Sequence, residues 1–378
     1  MIGKLLPYVV RTCVRARTRT LLTVVGTALA LAIFAFVRTL EAGVDRFQTS
    51  AAKPVLVVFQ QSRFCPLTSE LPLRYRGEIE RIDGVEAVLP TLVYVNKCQS
   101  NLDLVTLHGV DPEQLASVQG LRAVDGDLES WKGKESGALV GKRLAERRRV
   151  KVGDTVRLGD LQVYVGGIVD ADGPGLDNVA FVHSRPLETA RDMPGRTTQF
   201  LVRLRPGADG AAIARAIDAR FATDEAPTDT KTLQAFVQGA VGEVSGIVRF
   251  ARLLGWLAVA VVVLVLGNTV FISAQTRAQE LGTLETIGCT KATLAVLLVV
   301  ESVLVAVVGG AIGTGAVVAW FAFHPTTLGI EGYGIDFDAG VPVLVAGLVA
   351  SVAVGLVAAI GPAVEALRRP LATALRAA

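Results

Sequence analysis

Hydrophobic residues are concentrated in four stretches of this 378-residue chain, separated by more polar segments. The stretches cover residues 21–37, 253–272, 294–323 and 341–360. A helix rises about 1.5 Å per residue, so about 20 apolar residues cross the roughly 30 Å hydrocarbon core of a bilayer. The third stretch ends in a cluster of glycines, which favours a shorter helix there: Gly309, Gly310, Gly313 and Gly315. The pattern predicts a membrane domain with four transmembrane helices.

The segment between the first and second stretches has a mixed pattern, typical of an α+β domain. Short apolar or alternating runs predict strands at residues 55–59, 87–95, 102–109, 138–140, 155–158, 161–169, 179–183 and 199–204. Helical spacing predicts helices at residues 76–82, 142–150 and 208–221. Gly159 and Asp160 predict a hairpin turn. The segment is long enough for one domain or two smaller lobes, and residues 38–47 and 231–250 predict helices that continue the adjoining spans.

These patterns predict an α-helical membrane domain with four transmembrane helices and a large extracytoplasmic α+β domain inserted between the first and second helices. We expect the four transmembrane helices at residues 21–40, 253–274, 292–320 and 341–361, with the α+β domain at residues 41–248. The remaining segments are a cytoplasmic leader (1–20), a cytoplasmic coupling segment (275–291), an outer loop (324–340) and a cytoplasmic tail (362–378).

Basic residues near the ends of the spans predict the orientation, because short cytoplasmic segments are enriched in Lys and Arg. They precede the first span and follow the last at Lys4, Arg11, Arg15, Arg17, Arg19, Arg368, Arg369 and Arg376. The loop 324–340 has no Lys or Arg and carries the carboxylates Glu331, Asp336 and Asp338. Both termini are therefore predicted in the cytoplasm. The leader 2–19 favours an amphipathic helix on the membrane surface, with a solvated basic segment as the alternative.

The four cysteines divide between the two predicted compartments. Cys65 and Cys98 fall in the outer segment, where a disulfide between them is one prediction and two unpaired buried cysteines are the open alternative. Cys13 and Cys289 fall at predicted cytoplasmic positions, where thiols usually stay reduced.

Residue types that carry catalysis do not form a recognisable constellation. His108, His183 and His324 lie far apart in sequence, without Cys or carboxylate at metal-ligand spacing. The segment GALVGKR at residues 137–143 lacks the spacing and the Ser or Thr of a P-loop. The net charge of +3 does not indicate nucleic-acid binding. We therefore expect no catalytic residue, no metal and no cofactor bound by this chain.

Polar and small residues within the spans indicate where helices meet. Asn268 and Glu301 are costly in hydrocarbon, so we expect each to face protein or water. For Glu301 two roles stay open: a structural contact with a residue such as Asn268, or a role in coupling. Small residues spaced four apart line one face of a helix and allow close approach, which predicts packing seams at Gly309, Gly313, Gly347, Ser351 and Gly355.

The polar segment QTRAQELGTLETIGCTK, residues 275–291, joins the second and third spans and has helix-forming character. Arg277 and Glu280 are three residues apart, so on a helix they can pair with each other or meet the charges of a partner. Gly288 allows the chain to turn back into the membrane. The segment is predicted to be a cytoplasmic lever between two membrane helices.

With these residues the chain resembles the permease core of the MacB- and FtsX-like ABC transporter superfamily, the type VII or mechanotransmission transporters. The matching positions are Asn268, Thr269, Arg277, Glu280, Gly282, Gly288, Glu301, Gly309, Gly310 and Gly313. The outer segment is similar, less specifically, to a MacB-like periplasmic core domain at Gly126 and residues 139–141, 152–155 and 166–169. The chain departs from the family pattern at Glu285, where a basic residue is common, and at Cys289, where a small residue is common.

The resemblance implies a permease of the bacterial inner membrane that binds a separate cytoplasmic ABC ATPase and a second copy of itself or a homologous permease. Residues 275–291 would form the coupling helix, with ATPase-coupling residues Arg277, Glu280, Gly282, Glu285 and Gly288. ATP and Mg²⁺ would be bound by the ATPase. A periplasmic adaptor, an outer-membrane protein or a lipoprotein substrate are further partners that the resemblance implies; nucleic acid is not expected.

The function implied by this resemblance is ATP-driven motion of the outer domain, which exports or extracts a lipoprotein, lipid, peptide or drug. The alternative is an FtsX-like signalling permease that regulates a cell-wall hydrolase without moving cargo. A receptor or anchor without an ATPase is a third interpretation.

Overall fold

The computed structural model describes residues 15, 17–50, 54–63, 66–97, 104–159, 161–173, 175–324, 326–330 and 332–368. The chain divides into two compact units. The helical unit comprises Met1–Ala42, Gly246–Pro325 and Phe337–Ala378, and the α+β unit comprises Gly43–Ser245 and Thr326–Asp336. The candidate disulfide residues Cys65 and Cys98 lie outside the described residues, as does most of the predicted leader.

The described residues form ten α-helices, with one-turn 3-10 helices at Pro66–Thr68 and Leu176–Asn178. The α-helices are α1 (Arg17–Ser50), α2 (Tyr75–Ile79), α3 (Pro112–Val118), α4 (Lys142–Arg148), α5 (Ser184–Arg191), α6 (Gly210–Phe221), α7 (Leu233–Thr276), α8 (Ala278–Thr286), α9 (Lys291–Phe323) and α10 (Val341–Arg368).

The described residues also form fourteen strands. They are β1 (Val55–Gln60), β2 (Leu71–Pro72), β3 (Val85–Lys97), β4 (Leu104–Val110), β5 (Gly120–Gly126), β6 (Gly137–Gly141), β7 (Thr155–Leu158), β8 (Leu161–Asp172), β9 (Val179–His183), β10 (Arg196–Thr197), β11 (Gln199–Leu204), β12 (Thr228–Thr232), β13 (Thr326–Ile330) and β14 (Tyr333–Phe337).

The helical unit is built from four helices that are long and apolar enough to cross a membrane: Arg17–Thr49, Ser245–Thr276, Lys291–Phe323 and Val341–Arg368. Half of the most apolar window of α9 is buried, against 22% for α7, so α9 lies at the centre of this unit and α7 is its most exposed span. The core joins all four helices through residues such as Ala30, Leu266, Leu298 and Val354. Van der Waals packing between these side chains holds the four helices together.

The α+β unit contains a ten-stranded mixed sheet in the order β12-β1-β11-β3-β4-β9-β6-β8-β5, with β7 paired to β8. Strand β3 is shared by two halves of this sheet: its first part pairs with β11 up to Thr91, and its second part pairs with β4 from Leu92. One buried cluster packs around Tyr75 and Phe221, and a second around Leu107 and Val165. The segment between the first two spans is therefore neither a single-core domain nor two separate lobes, but one continuous sheet with two hydrophobic cores.

Many predicted elements are confirmed. Strands β7, β9 and β11 have the predicted bounds, β7 and β8 pair antiparallel with Leu158 opposite Leu161, and α7 is continuous into the second span. The expectation that the glycine cluster shortens the third helix is wrong, because α9 runs unbroken from Lys291 to Phe323. Three of its four glycines, Gly309, Gly310 and Gly313, are instead covered by neighbouring helices, which stabilise the helix by packing.

The predicted outer loop 324–340 is also different in the structure. It forms the two-stranded β13–β14 hairpin, and residues 326–336 belong to the α+β unit. Sequence patterns missed this hairpin because it pairs only with itself and its strands are short. They also missed β5 and β12, whose residues are mostly polar or exposed, and helices α3 and α5.

Candidate functional site

The junction between α7 and α8 is where a long apolar helix gives way to a short polar one. Helix α7 ends at Thr276, and Arg277 leaves the helical conformation with φ −111° and ψ 19° before α8 begins. Leu281 and Gly282 are buried against the helical unit, whereas Glu280 is exposed. Helix α8 thus presents one face to the spans and one to solvent.

Gly288 ends the α8 turn with φ +107°, a conformation that side chains with a Cβ rarely adopt. Its amide donates to the Glu285 carbonyl at 3.1 Å. Helix α9 then begins at Lys291, where the Thr290 hydroxyl accepts from the Thr293 amide at 3.2 Å. The turn and the cap together reverse the chain within a few residues.

Four polar side chains from three spans meet where α7 approaches α8, and we call this set the polar network: Arg19, Ser273, Arg277 and Glu301. The Arg277 Nη2 donates to Glu301 Oε2 at 2.5 Å and to Ser273 Oγ at 2.8 Å. Arg19 of α1 donates to the same Ser273 Oγ at 2.8 Å. Ser273 Oγ donates to Glu301 Oε1 at 3.2 Å. The network joins α1, α7 and α9 at the residue that starts α8.

The network is well shielded from solvent. The side chains of Arg277 and Glu301 are only 12% and 8% exposed, and the Nη1 of Arg277 is buried with no hydrogen-bond partner among the described residues. Pairing a buried carboxylate with a guanidinium keeps both charged groups from being left unpaired at high cost. Three spans supply its members, so the network connects α1, α7 and α9 at one point.

Two contacts differ from those that sequence spacing suggests. Arg277 pairs with Glu301 rather than with Glu280, because its position between α7 and α8 directs its side chain into the helical unit. The Glu280 Oε1 atom instead lies 3.3 Å from Arg15 Nη1, in an exposed ion pair. The suggested contact of Glu301 with Asn268 is absent; Ser273 and Arg277 bind Glu301, and Asn268 is exposed.

The remaining loop residues contribute in different ways. Gly282 and Glu285 line a cavity of about 50 Å³ together with Pro362 of α10. Ile287, which the sequence interpretation did not single out, is 77% exposed beside Gly288. The sequence signal that could have identified Ile287 is its apolar side chain near the end of the polar segment 275–291.

Small residues bring the spans into close contact. A Cβ on Gly309 would lie 2.8 Å from Thr27 Cβ of α1, and one on Gly313 would collide with the Ala28 carbonyl. Gly347 faces Thr314, and Ser351 faces Gly310, so these pairs join α9 to α10. The five predicted seam residues all lie against other helices of the same chain: Gly309, Gly313, Gly347, Ser351 and Gly355.

A second polar cluster joins α1 and α7 at the far side of their apolar segments, and we call it the arginine clamp. The buried carboxylate of Glu41 accepts from Arg38 at 2.7 Å and also from Arg252. Arg252 and Ser273 are 21 residues apart on α7, which corresponds to about 31 Å along a helix. The clamp and the network therefore bracket a length of α7 close to the thickness of bilayer hydrocarbon.

The β13–β14 hairpin is fixed within the α+β unit by polar contacts. Asp336 Oδ1 accepts from Asn178 Nδ2 at 2.5 Å and from Thr327 Oγ1 at 3.0 Å. The Gly332 carbonyl lies 3.1 Å from Nε2 of His108, and burial lowers the pKa of His108 to about 4. Gln199 donates to the Tyr333 hydroxyl at 3.2 Å. These contacts attach the connection between α9 and α10 to β4, β11 and the 3-10 helix Leu176–Asn178.

The histidines of the α+β unit bind backbone carbonyls rather than one another. No group of three or more His, Cys, Asp or Glu side chains there could hold a metal ion. His183 contacts the Trp131 carbonyl at 3.0 Å, and His108 contacts the Gly332 carbonyl. Both histidines thus have local structural contacts.

Two family models match the chain. The MacB-like periplasmic core domain matches residues 20–220, and the FtsX-like permease C-terminal domain matches residues 252–371. No curated relative matches.

Several solved structures are similar to part of this chain at low sequence identity. The periplasmic region of MacB from Actinobacillus actinomycetemcomitans is 11% identical, with 50% of this chain and 94% of that chain covered at a TM-score of 0.39. The extracellular domain of the noncanonic ABC-type transporter YknZ from Gram-positive bacteria is 17% identical, with 47% and 99% covered at 0.36. A domain of a putative permease from Porphyromonas gingivalis is 18% identical, with 48% and 91% covered at 0.33.

Proposed function

This chain belongs to the MacB- and FtsX-like family of ABC transporter permeases, and on that premise we propose that it transmits force across the bacterial inner membrane. A separate ABC ATPase chain hydrolyses ATP, and the permease converts the ATPase motion into motion of its extracytoplasmic α+β unit. That motion exports or extracts a substrate at the outer face of the membrane. With the α+β unit outside the membrane, both termini and α8 are cytoplasmic.

The observation that carries this proposal is the polar network. A push on α8 acts first on Arg277, the residue that begins it, and Arg277 binds Glu301 of α9 and Ser273 of α7. Arg19 extends the same contacts to α1. Displacing Arg277 alone would leave the Glu301 carboxylate buried without its guanidinium, which is costly. Movement of the spans as a group is therefore favoured over local rearrangement.

The exposed surface of α8 and the turn after it is suited to docking on the ATPase. Glu280 supplies an exposed carboxylate, and Ile287 supplies an exposed apolar side chain at the rim of the Gly288 turn. Buried apolar anchors surrounded by polar contacts are typical of protein interfaces. ATP and Mg²⁺ are expected in the ATPase, because the GALVGKR segment of this chain is not a P-loop.

Chain connectivity provides the route to the α+β unit. Helices α1 and α7 continue without interruption beyond the arginine clamp, to Ser50 and from Leu233 respectively. The α9–α10 connection enters the α+β unit as the hairpin, which Asp336 and His108 help to hold. All four spans are thus linked covalently to the unit that is proposed to move.

The test removes the charge of Glu301 without changing its size. The permease and its ATPase are reconstituted in vesicles that carry an acylated fluorescent protein as cargo probe. We expect Glu301→Gln to retain ATPase binding and to release the probe at least about tenfold more slowly than wild type, because a lost charge pair of about 1.4 kcal/mol already corresponds to a factor of ten. The matched control is Glu86→Gln, the same change at an exposed position of β3.

Three results would count against the proposal. Wild-type release by Glu301→Gln would remove the network from force transmission. Failure of the wild-type chain to bind an ATPase would contradict the permease role. ATP-dependent activation of a cell-wall hydrolase, without release of either the anchored probe or a small-molecule dye, would replace transport with signalling.

A further inference from the structure

The polar network carries one more positive charge than negative charge. Arg277 pairs with Glu301, whereas Arg19 donates to the uncharged hydroxyl of Ser273 at 2.8 Å. Arg19 is partly buried, and no carboxylate of the described residues forms an ion pair with it. A guanidinium that is shielded from water without a counter-charge is costly. Arg19 therefore requires an anion that the described residues do not supply.

The remaining cytoplasmic residues do not supply this anion either. Residues 1–14 and 16, next to Arg19 in sequence, contain no Asp or Glu, and neither do residues 369–378. The cytoplasmic segments and the inner ends of the spans contain ten basic side chains: Lys4, Arg11, Arg15, Arg17, Arg19, Arg277, Lys291, Arg368, Arg369 and Arg376. The same regions contain four acidic side chains: Glu280, Glu285, Glu301 and Glu365. A negative charge from outside the chain is therefore favoured at this end.

Arg19 lies where the apolar part of α1 begins, with Leu21 and Leu22 shortly after it. Its hydrogen-bond partner Ser273 directly follows the second apolar stretch, residues 253–272. These boundaries mark the level at which hydrocarbon meets the lipid headgroups. Leu21 and Leu22 are 64% and 73% exposed. A guanidinium followed by exposed apolar side chains matches a phosphate followed by an acyl chain.

Arg15 and Arg19 lie on the same face of the helix, because they are four residues and about 6 Å apart along its axis. Two like charges at this spacing repel each other unless an anion lies between them. Arg15 is 83% exposed, with its Nη1 3.3 Å from Glu280 Oε1. Ser273 accepts from one nitrogen of Arg19, and the guanidinium fork has further N–H groups that suit phosphate oxygens. The two arginines thus present a site for a phosphate group.

We propose that Arg19, with Arg15 beside it, binds the phosphate of an anionic phospholipid in the cytoplasmic leaflet. A headgroup with one net negative charge matches the one unpaired positive charge of the polar network. The lipid links this network to the bilayer, because Arg19 and Arg277 donate to the same Ser273 oxygen. The inference rests on the membrane orientation of the proposed function, but it requires neither ATP hydrolysis nor cargo.

Lipid titration of the full-length permease in detergent tests this site. Dioleoylphosphatidylglycerol and dioleoylphosphatidylcholine, which share their acyl chains, are added separately, and native mass spectrometry counts the bound lipids. We expect wild type to prefer phosphatidylglycerol. Arg19→Gln is expected to lower the phosphatidylglycerol affinity about tenfold, the factor that corresponds to about 1.4 kcal/mol for a charged hydrogen bond.

The matched control is Arg17→Gln, which removes the same charge two residues away. Arg17 is exposed and lies about 200° around the helix from Arg19. We expect its affinity loss to be about twofold or less, because an exposed charge contributes little. This comparison separates a defined site from general attraction between a basic surface and an anionic lipid.

Two further variants keep every positive charge and separate lipid binding from folding. Ser273→Ala removes only the hydrogen bond that positions Arg19, and we expect about threefold weaker binding of phosphatidylglycerol. Arg19→Lys retains the charge without the guanidinium fork, so its affinity should lie between those of wild type and Arg19→Gln. Melting temperatures without added lipid identify any variant that fails to fold, and these two variants then decide the test.

Several outcomes would overturn the inference. Equal losses in Arg17→Gln and Arg19→Gln would replace the site with general surface charge, and equal binding of the two lipids would reject headgroup recognition. Displacement of phosphatidylglycerol by millimolar inorganic phosphate would indicate a soluble anion. Unchanged lipid affinity with lost ATPase binding in Arg19→Gln would assign Arg19 to the ATPase. Cargo-probe release by a chain without the lipid preference would reject this site while retaining the proposed function.

Discussion

At the scale of single residues, His108 shows how burial changes the chemistry of a side chain. It is 1% exposed, contacts the Gly332 carbonyl and lies edge-on to the rings of Phe181 and Tyr333. Burial lowers its pKa from 6.5 to about 4, so the folded α+β unit favours the neutral imidazole. The unfolded chain retains the ordinary pKa, and protonation therefore favours unfolding.

The stability that His108 contributes should depend on pH in a defined window. It is complete above pH 6.5 and is lost as pH falls from there towards 4, by about 3 kcal/mol. We expect His108→Gln to show a smaller loss of melting temperature between neutral pH and pH 4.5 than wild type. The fluorescence of Trp131 reports this unfolding when Trp256 and Trp320 are both replaced by phenylalanine.

The comparison at each pH isolates His108 from other titrating groups. Burial raises the pKa of Asp177, which favours the folded state as pH falls and so opposes the effect of His108. Asp177 is present in both chains and its contribution cancels. Equal pH dependence of wild type and His108→Gln would contradict the prediction.

The sequence indicated which polar residues are important in the helical unit, but not which of them pair with each other. Glu301 stands out because a carboxylate in an apolar span is costly, and Arg277 stands out in a polar segment. Their pairing across 24 positions depends on the bend between α7 and α8, which directs Arg277 towards α9. Spacing along a single helix favoured Glu280 instead, since it considers only local neighbours.

At the scale of elements, the glycines of α9 control how closely α1 approaches. A Cβ at Gly313 would collide with the Ala28 carbonyl, whereas a Cβ at Gly315 meets no heavy atom within 4 Å. We expect Gly313→Ala to separate the helices and destabilise the chain by about 1–3 kcal/mol, as overpacking does. Thermal unfolding in detergent measures the difference.

Gly315→Ala is the matched control for this prediction, because it makes the same change two residues along the same helix. Alanine favours helix over glycine by about 1 kcal/mol, so this variant should be as stable as wild type or more stable. Equal melting temperatures for Gly313→Ala and Gly315→Ala would contradict the prediction that the close approach of α1 and α9 at Gly313 contributes to stability.

Periodicity predicted the elements whose side chains alternate between core and solvent or form long apolar runs. Strand β9 is one example, since all but its last residue are buried. Strand β5 is mostly exposed and β12 has the polar sequence TDTKT, so neither shows the apolar pattern of a buried strand. Both form by pairing at the sheet edges with β8 and β1, which depends on distant segments.

At the scale of the whole molecule, the β13–β14 hairpin gives α9 and α10 their own attachment to the α+β unit. Asp336 accepts a hydrogen bond from Asn178, the last residue of the 3-10 helix before β9, and the Thr327 hydroxyl donates to the same carboxylate. The chain therefore enters or leaves the α+β unit four times, twice through α1 and α7 and twice through the hairpin. Under the proposed function, force therefore has two covalent routes into this unit.

Replacing residues 326–336 with a Gly-Ser segment of equal length should separate these routes. We expect ATPase binding to persist, because α8 is unchanged, and cargo-probe release in vesicles to fall at least about threefold because a flexible segment transmits little force. Inserting the same number of Gly-Ser residues after Gly207, in an exposed turn between β11 and α6, controls for added flexibility. Undiminished release would show that α1 and α7 suffice.

The sequence by itself determined the four long apolar helices, the α+β character of the segment between the first two, and the family, because these depend on composition, local periodicity and motifs in chain order. Only the tertiary structure decided that Arg277 binds Glu301, that the α9–α10 connection is a hairpin within the α+β unit, and that Asn268 is exposed. Each depends on which surfaces other segments cover, and burial brings together residues that are far apart along the chain.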